Sequence, residues 1–287
     1  MSLAMQTKIN LSEMSADRAQ PQRSAVTPPI RLTRSERMRL GTIGLIGFIG
    51  IWSLLSLTGL VPRQFLPAPH EVLIRFIELL GTPFAGATLV EHLASSFMRF
   101  AYGFLLAAMI GIPLGLLMGW YRWLDDVITP IFDMLRFIAP IAWVPFAALW
   151  FGTGIGGPIM IIFAGAFPPC LINAYRGARF VNRNVIEAAQ MLGTSNLRIV
   201  TEVLLPASIP SIVAGLRVSA GLAWQSLIGA ELIVASAGVG FMMVQAQAGV
   251  ATATVMTCML AIGLVGLLID VALRQIETAI RRRHGQS

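Results

Sequence analysis

Six apolar runs, over residues 40–60, 96–120, 127–151, 158–174, 207–234 and 250–273, constrain this chain before any motif is considered. A helix needs about twenty predominantly apolar residues to cross the hydrocarbon of a bilayer. In that solvent only structures that satisfy their own backbone hydrogen bonds survive. The expected fold class is therefore all-α integral membrane, with six transmembrane helices. Composition agrees, because 56% of the 287 residues are hydrophobic and 12% charged, whereas soluble domains carry roughly a quarter charged residues. Cys170 and Cys258 lie inside apolar runs and read as small buried hydrophobes rather than a disulfide or a ligand pair. The net charge of +7 raises the question of nucleic acid. The basic residues are not clustered with stacking aromatics, so the partner they imply is the lipid bilayer.

The connections divide the chain further. Residues 1–39 are polar, contain Pro21, Pro28 and Pro29, and read as a flexible cytoplasmic tail with too little apolar surface to fold alone. The run 40–60 follows as transmembrane helix 1, an uncleaved anchor. Residues 61–95 read as an outer amphipathic segment, because Arg75 and Glu78 interrupt its apolar stripe. His70-Glu71 opens a zinc-protease pattern, but Ile74 stands where the second histidine is required, so no metal site is expected. In the second crossing Gly111, Gly115 and Gly119 recur at helical spacing and predict close helix packing. Pro140 and Pro145 predict kinks within a single third crossing. The GxGxxG pattern from Gly152 to Gly157 follows a membrane run and precedes Pro158, and it reads as a tight outer turn. Residues 235–249 are expected to form an outer loop of small residues, and 275–287 a basic cytoplasmic tail.

One polar island, Asn182 to Pro206, separates the fourth and fifth crossings. Asn182 is suited to cap a helix whose apolar stripe is Val185, Ile186, Ala188, Ala189 and Leu192. Gly193 supplies a C-terminal cap, Thr194 or Ser195 opens a second short helix, and Pro206 is expected to stop it. Glu187-Ala188-Ala189, three residues, Gly193, nine residues, then Val203-Leu204-Leu205-Pro206 resembles the EAA loop of permease subunits in binding-protein-dependent ABC importers. Val203 stands where that pattern has isoleucine. The similarity extends from about Phe65 to Glu277, through Phe65-Leu66-Pro67-Ala68-Pro69, Gly111-Ile112-Pro113-Leu114-Gly115, Pro140-Ile141-Ala142-Trp143-Val144-Pro145 and Gly221-Leu222-Ala223-Trp224. These stretches are similar to the branch that imports sulfonates, taurine and nitrate. The chain departs from it at Ala139 and at Gly156-Gly157, where the branch usually has proline and commonly glutamate.

The resemblance implies a type I ABC importer permease core over 96–274, with a cytoplasmic coupling helix in 182–206. The residues matching the motif, Glu187, Ala188, Ala189, Gly193, Val203, Leu205 and Pro206, would then couple to an ATPase. It also implies partners: two copies of an ABC ATPase subunit, a periplasmic or lipid-anchored substrate-binding protein, and a second copy of this chain. The function implied is ATP-driven import of a small anionic solute across a bacterial inner membrane, by a multi-pass subunit that is not itself an enzyme. No cofactor is expected in this chain, ATP and magnesium residing on the ATPase. Independently, the only lysine is Lys8, in the N-terminal tail, so the phosphate-binding lysine of a Walker A loop is missing. Charge also orients the chain. Arg122, Arg176, Arg179, Arg183, Arg198, Arg274 and the basic residues of both tails fall on one side, leaving Arg63, Arg75 and the boundary residue Arg99 on the other. Both termini are therefore expected in the cytoplasm.

Charged and aromatic residues within the crossings are the pathway candidates. Arg217, near the middle of the fifth run, either faces an anion's passage or pairs with a carboxylate inside the bundle. Asp133 and Arg136 are spaced to satisfy each other. Glu231 and Asp270 are expected to reach from helix ends toward the interface, while Trp143, Trp224 and Met242 either line the path or pack. A self-sufficient channel or secondary transporter would show internal repeats and buried acidic relays, and an intramembrane enzyme a nucleophile with its base. The sequence displays neither.

Overall fold

The computed structural model describes residues 33–59, 62, 64–152 and 154–283, and every regular element within them is a helix. The expected tail over 1–39 lies outside the described residues up to position 32, as do Arg63 and the end of the basic tail, 284–287. The chain divides into two units, one ending at Ile51 and one beginning at Trp52. In the first, the described residues belong to α1 (Arg34–Leu57), which starts ahead of position 40 because Thr33 and Glu36 cap it reciprocally. Its apolar side chains Ile43, Leu45 and Phe48 are exposed.

The second unit contains α2 (Pro69–Gly81), α3 (Leu89–Trp120), α4 (Arg122–Leu135), α5 (Val144–Phe151), α6 (Gly156–Arg179), α7 (Arg183–Met191), α8 (Asn196–Arg198), α9 (Leu205–Ile233), α10 (Val239–Ala248) and α11 (Thr252–Arg283). Among the described residues five helical segments are long and apolar enough to cross a membrane, and a sixth crossing forms if α4 and the segment through α5 are one bent span.

Several bounds differ from expectation for identifiable reasons. The second crossing begins at Leu89 rather than 96, because Thr88 and Glu91 form a capping box. Residues 89–95 therefore belong to α3, and only α2 forms the amphipathic helix of the outer segment. The third crossing is not one kinked helix. Pro140 forces the preceding Ala139 into extended backbone (φ −57°, ψ 139°), which ends α4 early. A 3₁₀ turn, Pro140–Trp143, then leads into α5, and the two halves meet at 87°. Both prolines sit in first turns, where their missing N–H groups cost nothing. Pro206 does not stop the island's second helix. A π-helical segment, Ile199–Leu204, joins α8 to α9, so that Asn196–Ile233 is one rod of 38 residues. The stretch 235–249 contains α10, whose Val239, Met242 and Ala246 recur at helical spacing and are buried.

Helix α6 is the central element, packed along its length against α3 and α9. Phe100 and Ala107 of α3, Ile162 and Ala166 of α6, and Ala220, Trp224 and Leu227 of α9 make one buried cluster. Contact is close because the glycines of α3 face α6. A β-carbon on Gly115 would lie 2.5 Å from the Leu171 carbonyl oxygen, and one on Gly119 2.5 Å from the Ala178 β-carbon. On the other flank, a β-carbon on Gly177 of α6 would lie 2.9 Å from that of Ser208. In lipid such approach is a principal source of helix association, through dispersion contacts. Gly115→Leu, opposed by backbone that cannot yield, is expected to destabilise the bundle by at least about 1–3 kcal/mol. Gly263→Leu, with no atom within 4 Å of the added carbon, leaves stability unchanged. Thermal unfolding of the two variants in mild detergent measures the contrast.

Candidate functional site

The island between α6 and α9 folds as two short helices, α7 and α8, ahead of the π-helical segment. Asn182 caps α7 by accepting from the Asn184 amide at 3.0 Å. Gly193 closes it at φ +74°, a conformation that costs glycine nothing. Its amide donates to the Gln190 carbonyl at 2.9 Å and that of Thr194 to Ala189 at 3.1 Å, the paired bonds of a Schellman motif. Ser195 precedes α8, with no side-chain capping bond. Ile199, Val200 and Leu204 are buried beneath α7 against Leu117, Trp120, Ile186, Ala189 and Val203. The α7 stripe therefore splits. Ile186 and Ala189 pack inward, whereas Met191 and Leu192 are 87% and 85% exposed, and Leu197 of α8 is 68% exposed. Ala188, Leu205 and Pro206 are also exposed, and Glu187 pairs with Arg183 at 3.4 Å. A polar connection thus presents a rigid knob of large apolar side chains.

A second constellation went unread in the sequence. Glu231, expected at the interface, is 1% exposed and forms an ion pair with Arg99 of α3 at 2.9 Å. Ser96 Oγ lies 2.8 Å from both carboxylate oxygens, and the Gly240 amide at the start of α10 donates to Oε2 at 3.0 Å. Gly238, at φ +111°, lets the loop wrap the carboxylate, since a side chain there would strike it. The Gly238 amide donates to His92 Nδ1 at 3.2 Å, which leaves Nε2 to donate to the Phe84 carbonyl at 3.0 Å. The available signal was an arginine and a glutamate within separate apolar runs, each needing a partner in lipid.

The remaining candidates separate. Arg217 Nε donates to Asp270 at 2.7 Å and Nη1 lies 3.3 Å from Glu277, so this arginine pairs with two carboxylates of α11. Asp270 also pairs with Arg274 at 3.0 Å instead of reaching for the interface. Trp224 is buried edge-on against Phe100 and donates to the Ile262 carbonyl. Met242 is fully buried among Leu79, Leu89 and Cys258. Trp143 alone of the three lines a cavity, about 200 Å³ in volume, at the break between α4 and α5. Asp133 and Arg136 pair at 2.9 Å beside it. Among the described residues no group of His, Cys, Asp and Glu could hold a metal ion.

The described residues thus form a multi-span helical bundle with a rigid apolar knob on the polar connection between two spans. Residues 111–285 match the family described as binding-protein-dependent transport system inner membrane component. The chain is 32% identical to the taurine transport system permease protein TauC of Escherichia coli, over 89% of this chain and 92% of that one. It is 36% identical to the bicarbonate transport system permease protein CmpB of Synechococcus elongatus, over 76% of this chain and 81% of that one. Its fold matches a chain of the MetNI methionine ABC transporter in an inward-facing conformation, with TM-score 0.55 and 22% identity over 73% of this chain and 96% of that chain. The chain belongs to the binding-protein-dependent transport system inner membrane component family. It is a permease subunit of an ABC importer, a multi-pass inner-membrane protein that transports rather than catalyses and works with an ATPase and a substrate-binding protein.

The buried ion pair yields a test of its own. Glu231→Ala strands Arg99 in the protein interior and is expected to cost about 3–5 kcal/mol. Replacing both residues with apolar side chains of similar volume, Glu231→Leu with Arg99→Met, recovers most of that loss. The melting temperature of each purified variant reads the difference.

Proposed function

We propose that two copies of this chain form the permease, with each α7–α8 element acting as the coupling helix for one of two ATPase subunits. The carrying observation is the apolar knob of Met191, Leu192 and Leu197, exposed on an element capped at both ends and anchored beneath. The described residues supply at most six crossings and one such knob, which suits a symmetric pair. The excess of basic residues on the side of this element supports its facing the cytoplasm, together with both termini. ATP and magnesium act on the ATPase, whose closure moves the knob and shifts the permease between inward-open and outward-open states. A periplasmic or lipid-anchored binding protein delivers the solute from the other side.

The solute we propose is a small anion of the sulfonate type. The TauC relative serves taurine and the CmpB relative bicarbonate, and both are small solutes bearing an anionic group.

Affinity purification of the tagged chain from its native membrane is expected to recover a Walker-containing ATPase in equal amount. Met191→Ser with Leu192→Ser removes two side chains worth about 1.5–3 kcal/mol each when buried, and is expected to reduce that recovery at least tenfold at unchanged membrane levels. Gly193→Val, which forces a β-branched residue into positive φ, is expected to lower uptake without lowering the amount of protein. Recovery of the chain alone, moving solute in liposomes without ATP, would overturn the proposal.

A further inference from the structure

The cavity at the broken span has the make-up of a solute site. Phe132, Trp143, Phe163 and Phe167 supply an aromatic lining, with Met160 and Pro168 alongside, and Arg136 is the single charged residue among the lining residues. The α6 residues that line it, Met160 to Pro168, lie between about 6 and 18 Å from the start of that helix, so the cavity occupies the first half of the span and ends at its middle. Residues 136–139 are non-helical, and of these Arg136 lines the cavity, the setting in which non-helical backbone at membrane depth is tolerated. Arg136 bonds Asp133 through Nε alone, at 2.9 Å, and its guanidinium lies 4.8 Å from the Phe137 ring centroid. No second carboxylate pairs with it among the described residues.

We propose that this cavity is the transit site for the transported solute and that it takes an organic anion with a short apolar body, not an inorganic anion. This rests on the importer reading and narrows its substrate class. The body enters the aromatic lining. A cavity of about 150 Å³ accepts benzene, and this one is about 200 Å³. The anionic head meets the nitrogens of Arg136 that Asp133 leaves unbound. Nitrate or bicarbonate has no apolar body to fill the lining, which offers such ions little hydrogen bonding. Asp133 competes with the head for Arg136, which keeps binding weak enough for release, as conduction requires.

The test uses the full chain in nanodiscs with its co-purified ATPase and 4-bromobenzenesulfonate as the probe. The bromine atom is expected to quench fluorescence saturably, and Trp143→Phe removes that component. Arg136→Gln weakens the apparent affinity at least tenfold, whereas Asp133→Asn, which frees Arg136, strengthens it severalfold. Opposite shifts from adjacent residues exclude a general folding defect. Ethanesulfonate displaces the probe, and nitrate at the same concentration does not. Absence of saturable quenching, equal displacement by nitrate, or shifts of the same sign in both charge variants would overturn the proposal. So would quenching by brominated phosphatidylcholine that the sulfonate fails to relieve, because an acyl chain would then be the occupant. The ATPase recovered in the same preparation separates the two readings. Its presence without probe binding sinks this site and leaves the importer reading standing, whereas probe binding without it sinks the importer reading and with it the transit role of the cavity.

Discussion

The close approach of α6 to α3 and α9 supports everything else in the second unit. Lipid tails are as apolar as leucine, so burying hydrophobic surface drives these helices together far less than it would in water. What remains is dispersion at short range, and it requires small residues. Glycines of α3 allow contact with the α6 backbone itself, while Gly177 meets Ser208 on the opposite flank. Polar atoms inside this contact are joined locally, as where Cys170 Sγ lies 3.1 Å from Ser219 Oγ and that hydroxyl donates to the Ala166 carbonyl. The aromatic residues Phe100 and Trp224 then fill the space that small residues leave.

The ionic groups in the spans extend this unit in two directions. Arg99 and Glu231 join α3 to the end of α9 and hold the start of α10. Arg217, Asp270 and Glu277 join α9 to α11. Both systems use α9, which is continuous with α8 through the π-helical segment. Thirty-eight helical residues are about 57 Å long. The exposed knob and the buried carboxylate therefore sit near opposite ends of one continuous helical segment.

Much of this was legible in the sequence. The apolar runs marked five of the spans, Asn182 and Gly193 located the ends of α7, and glycine spacing marked the face of α3 that packs closely, without naming α6 as its partner. These features are local, set by a few neighbouring residues and the backbone. The Glu231 site was not legible because its partners are far apart in the chain, 132 residues separating Glu231 from Arg99 and 135 from Ser96. A glutamate at the end of an apolar run looks the same whether it meets water or a buried arginine. The exposed Leu192 failed for a related reason. Helical periodicity shows which residues share a face, but only the packing of Ile199, Val200 and Leu204 decides how much of that face is covered.

The two proline sites show the same principle at the level of the backbone. Pro140 and Pro206 each remove one donor, and each would crowd the carbonyl four residues back if the helix continued unchanged. At Pro206 the helix continues, because the preceding turns widen into a π-helix whose Ile199, Val200 and Leu204 are buried against α3 and α7. That packing holds the segment helical while the hydrogen bonds shift. Before Pro140 the residues from Met134 to Ala139 are all exposed, and nothing holds them against the proline's demand for extended backbone. The helix ends there, the chain turns through 87°, and the cavity opens at the turn. The same residue type makes a rod in one place and a cavity in the other, and the difference lies in whether the preceding turn has a buried face.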